Sequence, residues 1–552
     1  MFNASTEWTA HARVPARRTR TGAGQSAVLA FVLVFTWPVR LHAQQAHSIS
    51  LADAVGAAAS RNPSVLLALR ALDGGAGALM VARAAFDPQT QATVSGEQRH
   101  DLTTDAAAAP LFVRSTATAY NTGVSKTYRS GVVITPSVGV TQTAGSVLPG
   151  IATNSATASF GVLVPLLRGR GDAVAAKAEQ AAESDLSAGR WDARQAAAKA
   201  VYDVAGAYWN YAAAVQRQRV YALATARARQ MVVETSILVR ADERTTADLA
   251  QVRAVLAAKR ALNIGAAQAV IDARRTLGLT MGISPSAVAT LGTPSTALPR
   301  ASGSDSTNAD EAIDAFASDS APSLAFRGGG GRGDASDSTA TLARDAFVHR
   351  PDLAALGDRR RSAAYTLSGA ANDLRPRVDL NVVVGYGGYA RGWGAGNFLS
   401  PLGRNVPGVN TSVELRLQLP ANNLAARGRL MQIEAADAQL RVSEEDLRRS
   451  IETGVAASRR AVEAGERMVR ASGAAVTLSS KSVDAQRELF KAGLSTMFDV
   501  LVAQEDLMNA ELQAIDGQVN YAIGLASFRY ETGDAWREGD NAIDAATRLV
   551  TP

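Results

Sequence analysis

Residues 411–430, TSVELRLQLPANNLAARGRL, hold two periodicities separated by one proline. Up to Leu419 the pattern repeats every two residues. Thr411, Val413, Leu415, Leu417 and Leu419 fall on one face of a strand, and Ser412, Glu414, Arg416 and Gln418 on the other. After Pro420 no proline occurs through residue 551, and the chain becomes rich in Ala, Gln, Glu and Arg, all strong helix formers. A two-faced strand thus runs directly into a very long helix. If such strands close around water, the apolar face turns outward and the polar face inward. The same alternation also suits a half-buried strand of a soluble sheet.

The arrangement occurs twice. Asn62-Pro63-Ser64 and Arg350-Pro351-Asp352 open the two halves, and Pro88 and Pro376 follow at the same spacing of 288 residues. Each half then runs strand, loop, strand, proline (Pro165 or Pro420) and long helix. Residues 172–282 contain no proline, and a helix from about Asp172 to Val239 extends about 100 Å at ~1.5 Å per residue. Breaks are expected only at Arg240-Ala241-Asp242 and at Ala492-Gly493. In the last helix Val500, Leu507, Ala514, Tyr521 and Phe528 recur every seven residues, with Ala503, Ala510, Gly517 and Gly524 between them. This is a coiled-coil seam with one layer always small, so that backbones approach closely.

The paired elements give four strands per chain. Further strand-like runs at 116–126 and 131–143 either lengthen a hairpin or add to the sheet. The glycine- and aromatic-rich GYGGYARGWGAG (385–396) is read as the loop of the second half. The expected organisation is a leader over 1–43, a first repeat over 44–299, a flexible Ser/Asp/Gly-rich insertion over 300–340, a second repeat over 341–535 and a tail over 536–552. Arg332-Gly333-Asp334 lies in the insertion and is read as a chance tripeptide.

The leader has a basic stretch from Arg13 to Arg20, an apolar core from Ala27 to Trp37, and a cleavage-like Leu41-His42-Ala43 before Gln44. It directs the chain out of the cytoplasm. No later segment has eighteen uninterrupted apolar residues, so no transmembrane helix is expected, and the exported chain floats free, binds a surface or enters a membrane as strands. The 552 residues include no cysteine, which excludes a disulfide framework, a thiolate metal site, a cysteine nucleophile and a lipidated N-terminus. The five histidines (His11, His42, His47, His100, His349) lack metal-ligand spacing. Of the net charge of +6, five arginines and one glutamate in the leader supply +4. The remaining +2 is a poor match to nucleic acid.

Several motifs in this order resemble the TolC-like outer-membrane efflux family over nearly the whole exported chain. Gly493-Leu494-Ser495-Thr496-Met497-Phe498-Asp499-Val500-Leu501, followed by Ala503-Gln504, is similar to the family's helix-to-helix turn at its periplasmic tip. Pro165-Leu166-Leu167-Arg168-Gly169 resembles its strand-to-helix junction. Asn62-Pro63 and Arg350-Pro351-Asp352-Leu353 resemble its repeat openings, and Tyr521 to Leu525 with Tyr530-Glu531-Thr532-Gly533 its closing segment.

The resemblance implies a mainly α fold with membrane β-strands. A homotrimer would share one twelve-stranded barrel in outer-membrane lipid, continued by a long coiled-coil helical barrel across the periplasm. It implies a passive export duct working with a periplasmic adaptor protein and an inner-membrane pump or secretion ATPase, without cofactor or metal. Small-molecule efflux is the leading function, with a type I protein-secretion duct as the alternative. A secreted coiled-coil scaffold explains the helices but not the strands between prolines, and no constellation of catalytic residues points to an enzyme. Asp499 matches an aspartate near the family's narrow periplasmic entrance, and Asp248 is its counterpart 251 residues earlier. Rings of both would favour cations; as plain helix starts they would suit the N-terminal dipole. Gly493, Leu494, Ser495 and Thr496 are the implied contact for the adaptor. Val502 stands where a second constriction aspartate can occur, Ser495 replaces an arginine of the closing network, Phe490 a tyrosine, Ala247 a threonine and Asp242 a glycine. A gate held shut less by salt bridges and more by packing, at Phe490, is therefore expected.

Overall fold

The structure is a computed structural model that describes residues 48–104, 110–145, 151–298, 335–404, 408–537 and 539–551. The leader over 1–43, and the insertion as far as residue 334 with Arg332-Gly333-Asp334, lie outside the described residues.

Each half is built from a short helix, strands, a long helix and a return helix. In the first half these are α1 (Leu51–Arg61), α2 (Pro63–Ala84), β1 (Gln89–Thr104), β2 (Pro110–Thr127), β3 (Val133–Gly145), β4 (Ala152–Pro165), the single turn α3 (Asp172–Ala175), α4 (Lys177–Arg240), α5 (Thr246–Thr280) and α6 (Pro285–Ala289). In the second they are α7 (Ala335–His349), α8 (Pro351–Asp373), β5 (Arg377–Arg391), α9 (Ala395–Leu399), β6 (Val409–Gln418), α10 (Leu424–Lys491), α11 (Met497–Glu531) and α12 (Ala542–Val550). Pro63 and Pro351 each occupy the first helical turn, where the missing N–H costs nothing. The 64 residues of α4 and the 68 of α10 extend for roughly 95–100 Å at ~1.5 Å per residue.

The six strands form one antiparallel sheet in the order β1-β2-β3-β4-β5-β6. The runs at 116–126 and 131–143 are therefore full strands, β2 and β3, inserted between β1 and β4, and the described residues hold six strands rather than four. The cause is visible in chain length: Pro88 to Pro165 spans 77 residues, whereas Pro376 to Pro420 spans 44. The glycine-rich run is also corrected. Its first part belongs to β5, because Gly385 lies so close to Ala158 O that a Cβ would sit 2.5 Å away. At Gly388 the chain just past α9, at Pro401, lies against the strand where any side chain would stand. The helix α7 begins at Ala335, inside the stretch assigned to the insertion. In the tail, Asn541 caps α12, whose Ala545, Ala546 and Leu549 pack into the main core.

Across the molecule the helices lie side by side. Next to the sheet the lateral order is α2-α4-α8-α10; farther away α5 and α11 take the places of α2 and α8 beside α4 and α10. The heptad seam of α11 is buried at Val500, Leu507, Tyr521 and Phe528, which alternate with Ala503, Ala510, Gly517 and Gly524, while Ala514 is half-buried. At Gly465 of α10 a Cβ would stand 2.9 Å from Tyr521 Cα, so the two helices touch backbone to backbone. The largest core joins α1, α4, α11 and α12 around Tyr208, Trp209 and Tyr211. Tyr208 Oη donates to Ile49 O and Tyr211 Oη to Gly292 O, which ties both ends of the first half to the middle of α4.

Two described helical stretches, 51–84 and α5, are long and apolar enough to cross a membrane. The first is broken at Asn62-Pro63, and both α2 and α5 pack lengthwise on α4. They are layer helices with one apolar flank.

Candidate functional site

At the end of the helices farthest from the sheet, both hairpins turn in the same way, 251 residues apart. Helix α4 closes with Ala241 N–H on Ile237 O, Asp242 N–H on Val239 O and Glu243 N–H on Leu238 O. Helix α10 closes with Ala492 N–H on Glu488 O, Gly493 N–H on Phe490 O and Leu494 N–H on Leu489 O. This wrapping needs one left-handed residue. Gly493 supplies it at φ 73°, and Asp242 at φ 56°, one of two described non-glycine residues with positive φ. An aspartate tolerates that conformation better than most side chains.

The return helices begin on capping boxes. Thr245 Oγ1 and N donate to Asp248 Oδ2 at 2.9 and 3.2 Å, and Asp248 N donates back to Thr245 Oγ1. Thr496 Oγ1 and N donate to Asp499 Oδ2 at 2.6 and 2.8 Å, with the reciprocal bond from Asp499 N. Each aspartate therefore starts a helix. All these contacts fall on one carboxylate oxygen, which leaves Oδ1 for solvent or solute. Bonds from the Thr496 hydroxyl and backbone hold the Asp499 carboxyl below its usual range, with the Ser495 hydroxyl contributing. Asp499 stays charged through the neutral range.

Ser495 Oγ lies 2.9 Å from Gln486 Oε1 and 3.1 Å from Asp499 Oδ2, and its single proton serves one of them at a time. Leu494 is 77% exposed and Phe498 60%. With Leu489 and Val502, also exposed, they give the second tip an apolar surface. The first tip offers Glu243 where the second has Leu494.

The two tips are clasped together. Met231, Val252, Met497 and Val500, one or two from each of α4, α5 and α11, form a small buried cluster that Phe490 of α10 joins. The Arg244 guanidinium sits 5.1 Å from the centre of the Phe490 ring, in cation–π geometry. Sequence reasoning missed Arg244. The signal was there in the 251-residue offset, because Arg244 is the repeat counterpart of Ser495. Farther along, Lys259–Glu505, Arg227–Glu511 and Arg217–Asp516 pair the first hairpin with α11.

At the other end the sheet is two-faced, most clearly in β5 and β6, although the apolar face also holds the hydrogen-bonded pair Gln142 and Asn154. The register places Val94 beside Tyr120, Val140 beside Ala156, Phe160 beside Val384 and Val382 beside Val413, all on one face. The opposite face carries Thr93 and Asn121, Thr141 and Ser155, Asn381 and Glu414. Its charges are largely self-paired: Glu97–Arg99, Arg377–Asp379 and Glu414–Arg416 lie at 2.6, 2.6 and 2.9 Å. This polar face suits passage of water and solutes without strong preference for either sign. Among the described residues no group of three or more His, Cys, Asp or Glu stands in metal-binding geometry.

No family model matches this sequence, and no curated protein matches it. Solved structures do. A membrane protein from Pseudomonas aeruginosa matches with a TM-score of 0.62 at 17% identity, over 89% of this chain and 92% of that one. The outer-membrane channel OprN matches with a TM-score of 0.62 at 14% identity, over 88% and 90%. The outer membrane protein VceC from Vibrio cholerae matches with a TM-score of 0.60 at 17% identity, over 88% and 96%. Each match spans nearly nine-tenths of this chain, so the chain has the fold of these membrane proteins.

Proposed function

We propose that this chain is one subunit of a homotrimeric channel-tunnel of the cell outer membrane. It would pass small molecules (drugs, metals or other toxic compounds) from the periplasm to the exterior, as the outer component of a tripartite efflux system. The observation that carries this reading is a two-faced sheet continuous with a layer of helices about 100 Å long. Outside the patch where α9 and Pro401 lie against it, the apolar sheet face is open and suits lipid, and an open sheet cannot stand in lipid without partners for its edges.

The lateral faces of the helical layer support a shared assembly. Leu67, Met80 and Val81 of α2 and Ile264 of α5 are at least 70% exposed on one flank. Met431, Val442 and Met468 of α10 are 53–71% exposed on the other. Three copies joined flank to flank would bury both. In that ring the free oxygens of Asp248 and Asp499 would stand at the tunnel mouth and favour cations. The Gly493–Thr496 turn, with Leu494 fully presented, would seat a periplasmic adaptor, and the inner-membrane pump would supply the energy. Phe490 would hold the resting mouth by packing the two hairpins together.

The test is single-channel recording of the purified exported chain in planar bilayers, with and without combined Asp248→Ala and Asp499→Ala. Cation-selective openings that lose selectivity in the double variant are expected. Absence of conductance from a folded, membrane-extracted trimer, both as it stands and with Phe490→Ala to release the mouth, would refute the channel.

A further inference from the structure

The sheet carries two more strands than the helical layer beneath it can account for. Four helices lie across the layer, and four strands connect to them: β1 follows α2, β4 precedes α4, β5 follows α8 and β6 precedes α10. The lateral order of these four strands matches that of their helices. The hairpin β2–β3 has no helix beneath it, yet it occupies the interior of the sheet, paired on both sides over most of its length.

Its turn is built into the junction. Ser130 O accepts from Gly171 N–H, just before α4, and a Cβ on Gly131 would stand 2.3 Å from Gly169 O. Arg129 donates to both oxygens of Glu179 in α4, at 2.6 and 2.8 Å, and its guanidinium lies 4.9 Å from the centre of the Phe86 ring at the end of α2. The hairpin is therefore fixed to helices on both sides, and its apolar and polar faces continue those of β1 and β4.

Among the described residues the outer edges of β1 and β6 have no partner, although β6 exposes Val413, Leu415 and Leu417 at 60% or more. An even strand number sets β1 and β6 in opposite directions. The β6 edge of one copy can thus pair antiparallel with the β1 edge of the next, as in closed membrane barrels. The same rotation brings α10 of one copy beside α2 of the next.

We propose that these two edges are the subunit interface within the membrane, that the occupant of each is a second copy of this chain, and that the trimer closes as an eighteen-stranded barrel. This rests on the trimeric channel reading above. Barrel width grows roughly linearly with strand number, so eighteen strands give a ring about 1.5 times as wide as twelve. At ~4.8 Å between strands tilted by ~40°, the circumference is about 110 Å. Twelve helices spaced ~8–10 Å apart need about 96–120 Å, so such a ring sits on the helical cylinder without a step. The outer mouth is then a wide, polar, weakly charged outlet, and any sieving of solutes falls to the tips.

The chain has no cysteine, so introduced thiols are unique. Full-length protein is reconstituted in phospholipid vesicles and treated with a short bifunctional thiol reagent. One set of variants pairs Thr93→Cys or Ser95→Cys in β1 with Ser412→Cys or Glu414→Cys in β6. A control pairs Val81→Cys in α2 with Met431→Cys or Val442→Cys in α10. Single cysteines at positions 119 to 122 of β2 and 138 to 141 of β3 are tested with a charged, water-soluble thiol reagent. Covalent trimers from both sets are expected. In the singles, Ala119→Cys, Asn121→Cys and Thr141→Cys should react at least tenfold faster than Tyr120→Cys, Thr122→Cys and Val138→Cys. Helix-linked trimers without strand-linked ones, or equal reactivity on both faces of β2 and β3, would overturn the eighteen-strand ring and leave the trimeric channel standing. No cross-linking in either set would remove the trimer reading and the ring with it.

Discussion

Phe490→Ala should release the clasp between the two hairpin tips. The ring is part-buried against Met231, Val252, Met497 and Val500. Truncating a fully buried Phe costs about 3–5 kcal/mol, so a half-buried one costs about 2. Loss of the Arg244 stacking adds about 0.5–1 kcal/mol at an exposed site. A total of about 2.5–3 kcal/mol corresponds to roughly a hundredfold larger population of separated tips, at 1.4 kcal/mol per tenfold. The effect is local, because this cluster is distinct from the large core around Tyr208 and Trp209. Native-state amide exchange reads it directly. Amides over 237–248 and 488–500 should exchange about a hundredfold faster in the variant, while those over 200–214 stay as they are. Phe490→Leu, which keeps most of the apolar contact and loses the π face, should lose only about 1 kcal/mol. Unchanged tip exchange in Phe490→Ala, or an equal change in the core, would refute a packed clasp.

Gly465→Ala should lower the melting temperature, because the added methyl meets Tyr521 Cα at 2.9 Å; overpacking of about 1–3 kcal/mol outweighs the ~1 kcal/mol gain in helix propensity. Gly473→Ala in the same helix meets nothing within 4 Å and should raise it. Arg350 is 8% exposed and bridges Asp352 and Glu531, so Arg350→Ala should cost about 3–5 kcal/mol in chemical denaturation. Arg449→Ala, which breaks a fully solvated pair with Asp446, should cost no more than about 0.5. Hydrogen bonds from Arg129 lower the Glu179 carboxyl below its usual range, burial opposes them, and Arg83 assists. A depressed carboxyl stabilises the fold fully above its unfolded value and loses that contribution as pH falls through its folded value. Protease resistance of the β2–β3 turn should therefore hold from pH 7 to about 5 and decline below about pH 4. Glu179→Gln should weaken it at pH 7 and flatten the profile.

Much of the architecture follows from local chemistry that a sequence displays. The long helices need only abundant helix formers and the absence of proline, and the chain supplies both over 172–282 and 421–551. Their ends are equally local: Thr245 with Asp248 and Thr496 with Asp499 are capping boxes, and Gly493 provides the left-handed turn. The heptad seam of α11 and the alternation of β6 are periodicities, which a sequence reveals because side-chain direction depends only on the backbone repeat. What tertiary structure decided was partnership. Whether the runs at 116–126 and 131–143 extend a hairpin or widen a sheet depends on pairing between segments as distant as Ala156 and Gly388, which no local pattern encodes. The glycines of 385–391 look like a loop until Ala158 and Pro401 are seen against them. Arg244 meets Phe490 across 246 positions of chain only because two hairpins turn at the same height. Periodicity sets which face of an element is apolar; only packing between distant segments sets what covers it.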